Sequence, residues 1–257
     1  MLGINPIKAA NDLRNHLGCW EPGDISLDEM VFALGGVLKE SPMEGAEGRI
    51  LMKGSNAIIT INSNITYPSK RNFVIAHEIG HFILHNELTP FYADNDKTLS
   101  EWYKNGPQEQ QANQFASELL MPSELFKSKV AGKRLSLSLI EQTAAYFGVS
   151  LTAAFLKYKD LGDFPIMVIY LENGIVKWKQ SSSDFPFQWL PINGKVPVYT
   201  VAGDYFNNKG LEAKPEKVDA IEWFPSDFKL KDEPDWQLWE QCFPVSTNGL
   251  VSCLWTQ

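Results

Sequence analysis

Three of the four histidines in this 257-residue chain, His77, His81 and His85, fall within nine consecutive positions. The first two frame His77-Glu78-Ile79-Gly80-His81, the pattern H-E-x-x-H. On an α-helix, positions four apart differ by about 40° of rotation and roughly 6 Å of rise, so both imidazoles leave from one face. That spacing lets two ring nitrogens share one tetrahedral Zn²⁺, with Mn²⁺ as an alternative ion. Glu78, one position along, reaches a water at the metal. Phe73, Val74, Ile75, Ile79, Phe82, Ile83 and Leu84 are apolar enough to bury such a helix. The bland alternative is a pair of hydrogen-bonded core histidines that bind nothing.

Two imidazoles do not complete a catalytic zinc site, which uses three protein ligands and keeps one position for water. The chain has no histidine beyond His85, so the third ligand is Asp, Glu or Cys. Glu109 is the best candidate. It lies one helical turn before Asn113 in Pro107-Gln108-Glu109-Gln110-Gln111-Ala112-Asn113-Gln114-Phe115-Ala116, so the two share a face. Ala112, Phe115, Ala116, Leu119 and Leu120 can then pack on the histidine helix, and small alanines allow a close approach. Asn113 is placed to hold an imidazole N–H behind the metal and fix its tautomer. Taken alone, Glu109 also reads as a solvated carboxylate favoured by the dipole of a helix start.

Together, Phe73-Val74-Ile75-Ala76-His77-Glu78-Ile79-Gly80-His81-Phe82-Ile83-Leu84-His85 and Glu109-x-x-Ala112-Asn113-x-Phe115-Ala116-x-Glu118-Leu119-Leu120-Met121-Pro122 resemble the ImmA/IrrE family of zinc metallopeptidases. That family runs roughly RFTIAHELGHxxLH, then ExxANxFAxxLLMP; the resemblance covers about residues 26 to 160. It implies zinc held by His77, His81 and Glu109, with Glu78 as general base. Two departures stand out: Asn72-Phe73-Val74 replaces Arg-Phe-Thr, and Gln111 stands where many relatives carry a second Glu. Relatives regulate transcription by cutting a helix-turn-helix repressor, typically encoded nearby, so narrow regulatory proteolysis is expected here.

Peptide hydrolysis at such a site also needs a donor for the developing oxyanion. Tyr103, Tyr92 and His85 are candidates, and no spacing selects among them. His85, a further turn along the helix at a drifting angle, is expected behind the ligands and not among them. The strand Ala57-Ile58-Ile59-Thr60-Ile61 could hold an extended substrate by strand addition, or be an ordinary sheet edge.

The elements that must position these residues are legible nearby. A helix is expected from Asn5 to Leu17, stopping at Gly18. A second opens at Ser26 with Glu29 three residues on, a capping-box signature, and runs through Val37. Arg49 to Met52 and Ala57 to Asn62 flank a Lys53-Gly54-Ser55-Asn56 turn and read as a hairpin. The histidine helix is expected from Lys70 to Asn86, then a polar loop, then a helix from Gln108 to Leu120 begun by Pro107. Ser123 opens a short helix ending near Gly132, and Leu135 to Leu161 gives two more, joined at Gly148-Val149-Ser150. Beyond Gly162 the texture turns β-rich, at Ile166 to Tyr170, Gly174 to Trp178 and Val196 to Val201.

The expected fold is α+β: a zincin-like metallopeptidase domain over residues 1–133, a helical segment resembling a helix-turn-helix over 134–162, and a β-rich, GAF-like C-terminal domain over 163–257. Six of the eight tryptophans lie past residue 162, which supports that last boundary. Trp236 to Cys242 and Gly249 to Trp255 resemble closing strands of relatives. Tryptophan clusters more often build core than pocket.

A formal net charge of −8 argues against non-specific binding of polyanions. Residues 133–160 carry a local excess of two positive charges, yet Lys157 stands where a DNA-reading helix pair would want an apolar residue, so direct DNA binding is not expected. No apolar run approaches the roughly 20 residues that span a membrane. The start MLGINPIKAANDL lacks a basic block followed by an apolar one. Three cysteines without CxxC spacing fit a reducing cytoplasm and neither a disulfide framework nor a thiolate site. The competing expectation is a DNA-binding or antitoxin-like regulator whose metal is structural; Glu78 counts against it, because a structural site has no use for that carboxylate.

Overall fold

A computed structural model describes residues 4–85, 106–212 and 214–256, together with the backbone of 91–93. The chain divides into two compact units, Met1–Phe126 with Thr143–Ala153, and Lys127–Gln142 with Ala154–Gln257. The helical stretch expected as a separate segment at 134–162 is thus divided between them.

The first unit opens with α1 (Pro6–Leu17), capped by Asn5, whose side chain accepts from the Lys8 N–H, and closed by Gly18 at φ 70°. Next comes α2 (Leu27–Ala33), opened by the Ser26–Glu29 capping box in both directions. The expected continuation through Val37 does not occur. Gly35 takes φ 79°, and Gly36 packs so closely that a Cβ there would sit 2.8 Å from Val31 Cγ1. The chain leaves the helical region at this pair of glycines and becomes β1 (Gly36–Ser41).

The hairpin forms as β2 (Gly48–Lys53) and β3 (Asn56–Asn62). With β4 (Phe91–Ala93) the sheet order is β1-β3-β2-β4. One face of the sheet carries Ile50, Met52, Ala57, Ile59 and Ile61, all buried against α3 (Pro68–His85) and sharing its core with Val74, Ile75, Ile79 and Phe82. Burying each of these Ile, Met, Val and Phe side chains is worth about 1.5–3 kcal/mol, which fixes the register: a one-residue slip would turn the whole apolar set outward.

Two more helices complete this part, α4 (Pro107–Leu120) and the start of α5 (Ser123–Val130). Pro107 fits the first turn of α4, where an N–H would lack a partner. Phe115, Ala116 and Leu119 of α4 join the core of α3. The far end of α4 is pinned by buried Glu118, which accepts from Asn11 Nδ2 at 3.1 Å, the Ser123 N–H at 3.0 Å and Ser123 Oγ at 2.6 Å.

After α6 (Leu137–Phe147) and α7 (Leu151–Leu161) the second unit adds β5 (Ile166–Glu172), β6 (Ile175–Ser181), α8 (Val201–Phe206), β7 (Glu216–Asp219), α9 (Ala220–Trp223), β8 (Gln237–Pro244) and β9 (Gly249–Trp255). These strands make an antiparallel sheet of order β6-β5-β9-β8-β7, in line with the expected β-rich C-terminal part. Val196 to Val201 forms no strand: Lys195 makes a single bridge to Ile175, and Thr200 caps α8 by accepting from the Gly203 N–H at 3.0 Å. Pro197, lacking an N–H, cannot sustain a ladder there. Trp223 and Trp255 are core, while Trp189 is exposed.

Candidate metal centre

Helix α3 buries every residue from Val74 to Phe82, because a sheet lies on one side of it and α4 on the other. His77, Glu78 and His81 are each 1% exposed, so their polar atoms must find partners within the protein. The two imidazoles converge as their spacing requires: His77 Nε2 and His81 Nε2 are 2.9 Å apart. From α4, Glu109 closes the triangle, with Oε2 at 3.1 Å from His77 Nε2 and Oε1 at 3.2 Å from His81 Nε2. The three residues form a donor group that could hold a metal ion.

The groups behind the rings decide what that triangle is. His77 Nδ1 lies 2.9 Å from Asn113 Oδ1, an oxygen that can only accept, so the ring spends its one hydrogen on Nδ1 and turns a lone pair toward Glu109. The Asn113 amide nitrogen is buried with no hydrogen-bond partner among the described residues, so the bond to His77 is what orients this side chain. His81 Nδ1 faces His85 Nδ1 at 3.1 Å. Lone pairs and a carboxylate therefore point at one another, an arrangement that wants a cation between them. For bonds of about 2.0–2.1 Å at tetrahedral angles, zinc ligands stand roughly 3.3–3.4 Å apart; the observed separations fall a few tenths short, and the donor set fits the ion.

Electrostatics agree. Burial holds the His81 imidazole below its usual value, against the pull of Glu109. Burial alone would raise the Glu109 carboxyl, but the adjoining imidazoles of His77 and His81 outweigh it and hold it well below the ordinary carboxylate range. Neutral imidazoles and an ionised carboxylate are the forms that bind metal.

Glu78 sits beside the cage and under the sheet. A Cβ on Gly48 of β2 would lie 2.6 Å from Glu78 Oε1 and 2.5 Å from Val74 Cγ1, so only glycine lets the strand start this close. The sequence offered a hint, since a glycine opening a strand often marks such an approach, but nothing local paired it with Glu78. Gln111 escaped notice as well. It reads as a lost second carboxylate, yet its Oε1 lies 2.9 Å from His85 Nε2.

The expected substrate strand is corrected by the topology. Ala57, Ile58, Ile59, Thr60 and Ile61 lie in β3, which is paired with β1 on one side and β2 on the other. Both rows of its backbone groups are used, so β3 has no edge to offer a peptide. Among the described residues the edge nearer Glu78 belongs to β4, which pairs with β2 from Arg49 to Leu51, next to Gly48. Tyr92 lies in that strand, opposite Ile50; Tyr103 lies outside the described residues. His85 stands behind His81 and not among the metal donors. No single helix among the described residues is long and apolar enough to cross a membrane.

An H-E-x-x-H helix crossed by a second helix carrying a carboxylate defines a metallopeptidase-like metal centre. Comparison with known proteins agrees. Residues 34–157 match the model of the IrrE N-terminal-like domain. Metallopeptidase ImmA of Bacillus subtilis (strain 168) is 34% identical over 108 residues, 42% of this chain and 58% of that protein. This segment is thus similar to the ImmA/IrrE family, and the match spans little more than half the length of that curated relative. In fold the chain is also similar to a Mycobacterium tuberculosis transcriptional regulator, with a TM-score of 0.63 and 16% identity over 97% of this chain and 76% of that one.

Proposed function

We propose that the protein is a zinc-dependent endopeptidase with a regulatory role, whose substrate is a helix-turn-helix repressor encoded nearby. The observation that carries this reading is the pairing of a three-donor cage, His77, His81 and Glu109, with a fourth buried side chain, Glu78, that is not one of its donors. A zinc ion in the cage, or manganese in its place, would supply Lewis acidity toward a carbonyl and acidify a water. Glu78 takes the proton of the attacking water and hands it to the leaving amine. Asn113 and His85 occupy the Nδ1 atoms of His77 and His81, which would leave both Nε2 lone pairs for the ion. An extended substrate would add to the edge of β4, whose pairing with β2 sets it beside Gly48 and hence Glu78. The family resemblance supports the peptidase class, and the substrate follows from what the resemblance implies.

The test is incubation of the full chain, and of a Glu78→Gln variant, with zinc or manganese and the neighbouring repressor. The parent should cut the repressor at one site and the variant should not, while retaining the metal. A repressor left intact by the parent, or cut equally by both, contradicts the proposal.

A further inference from the structure

Behind the metal cage, two contacts of His85 with described residues run in one direction. Its Nε2 lies 2.9 Å from Gln111 Oε1, and its Nδ1 lies 3.1 Å from His81 Nδ1. Both rings are buried, His81 at 1% and His85 at 2% exposure. We infer that Gln111 and His85 form a hydrogen-bond relay that sets the tautomer of His81, and through it the affinity of the site for a cation. This inference rests on the metal-site reading above.

The chemistry follows from what each atom can do. A neutral imidazole has one N–H and one lone pair, and a carbonyl oxygen can only accept. Gln111 Oε1 therefore takes the hydrogen of His85 Nε2, which leaves His85 Nδ1 as a lone pair. The 3.1 Å contact is then filled by the hydrogen of His81 Nδ1, and His81 Nε2 is left as the lone pair that faces Glu109. Turning the Gln111 amide over reverses every step. Its NH₂ group would donate to His85 Nε2, His85 Nδ1–H would donate to His81 Nδ1, and the hydrogen would end on His81 Nε2, where it blocks a cation.

Gln111 thus controls, through the His85 ring, which nitrogen of His81 carries the hydrogen. An ionised carboxylate at this position could only accept and would lock the metal-binding form. Glutamine can present either end, so it is a softer lock. The arrangement differs on the other ligand, where Asn113 holds His77 in one step. Gln111 and His85 are positioning residues; neither is among the three donors.

The experiment measures zinc dissociation constants for the full chain by competition with a chromophoric chelator. It also reads histidine tautomers of the metal-free protein from long-range ¹H–¹⁵N spectra. Gln111→Ala should weaken zinc about 10–100-fold, the usual effect of removing a group that orients a ligand, and should no longer hold the His81 hydrogen on Nδ1 alone. Gln111→Glu should bind at least as tightly as the parent with the hydrogen on Nδ1, a rescue that a purely structural role would not give. His85→Phe keeps the ring and removes both nitrogens, and should repeat the loss. If the parent binds zinc and all three variants match it, the relay is wrong while the metal site stands. If the parent itself binds no zinc, the metal reading fails and the relay with it.

Discussion

Gly80 of α3 lies so close to Ala112 of α4 that a methyl group on it would sit 3.2 Å from both Ala112 Cα and the Ala112 carbonyl oxygen, and 3.1 Å from Phe115 Cδ1. This contact sets the separation of the two helices, and the separation sets the site. His81 is one position after Gly80 and Glu109 one turn before Ala112, so a wider spacing would pull the carboxylate from both imidazoles. Gly80→Val adds two further carbons to a contact with no slack. It should destabilise the protein by about 1–3 kcal/mol, the usual cost of overpacking, and weaken zinc binding as well. Urea unfolding and chelator competition check the two effects; a variant as stable as the parent with unchanged zinc affinity would show that Gly80 does not set the spacing.

Glu109→Ala should weaken zinc by more than ~100-fold, beyond the range expected for groups that merely orient ligands, because it removes one of three donors. Elemental analysis after dialysis is the measurement. Equal occupancy in parent and variant would remove residue 109 from the ligand set.

Gly48→Ala separates Glu78 from the ligands. The added methyl would fall 2.6 Å from Glu78 Oε1, so the carboxylate must move while His77, His81 and Glu109 keep their places. Peptidase activity toward the proposed repressor substrate should fall at least ~10-fold with metal content unchanged. Full activity in the variant would show that Glu78 tolerates the displacement or is not the base.

Acid should loosen the first unit. His81 is held below its usual 6.5 by burial, so under that pH the unfolded chain takes up a proton that the folded chain resists, and stability falls as pH drops. Glu109, held below its usual 4.5 by His77 and His81 despite its burial, acts in the same direction. Its contribution is complete above 4.5 and disappears as pH falls toward its folded value. Urea midpoints of chelator-treated protein should therefore decrease from pH 7.5 to pH 5.5 and again toward pH 4. A midpoint that stays flat or rises would contradict the burial of a neutral His81. Zinc affinity should decline over the same range, since protons compete for the imidazoles.

In the second unit, buried Glu240 accepts from the N–H groups of Val201 and Ala202 at 3.0 and 3.2 Å, from Trp223 Nε1 at 3.3 Å and from Ser252 Oγ at 2.8 Å. Glu240→Gln turns an NH₂ group against at least one of these donors. It should cost about 1–3 kcal/mol, the penalty for an unsatisfied buried polar group, read from thermal or urea unfolding. A neutral result would mean that the donors find other acceptors.

What the sequence revealed depended on how local the cause was. His77 and His81 were readable because a helix turns four residues into one face, and α1, α3 and α4 announced themselves through Gly18, the apolar run from Phe73 to Leu84 and Pro107. Glu109 and Asn113 followed from the same periodicity once α3 and α4 were supposed to cross. The strand β1 was hidden because Gly35 and Gly36 break α2 through backbone torsion and packing on Val31, neither of which shows in apolar spacing. The central place of β3 was equally hidden, since a parallel partner from upstream leaves no turn signal between them. Gln111 and Gly48 act across 26 and 30 residues, on His85 and Glu78, through contacts that exist only after the helices and sheet have packed.

The most direct test of the account is a zinc-soaked crystal read by anomalous diffraction at the zinc absorption edge. A single peak is predicted about 2.0–2.2 Å from His77 Nε2, His81 Nε2 and one Glu109 oxygen, with the Glu78 carboxylate nearby but not bonded to it. A peak away from residue 109, or one ligated by Glu78 itself, would contradict the account.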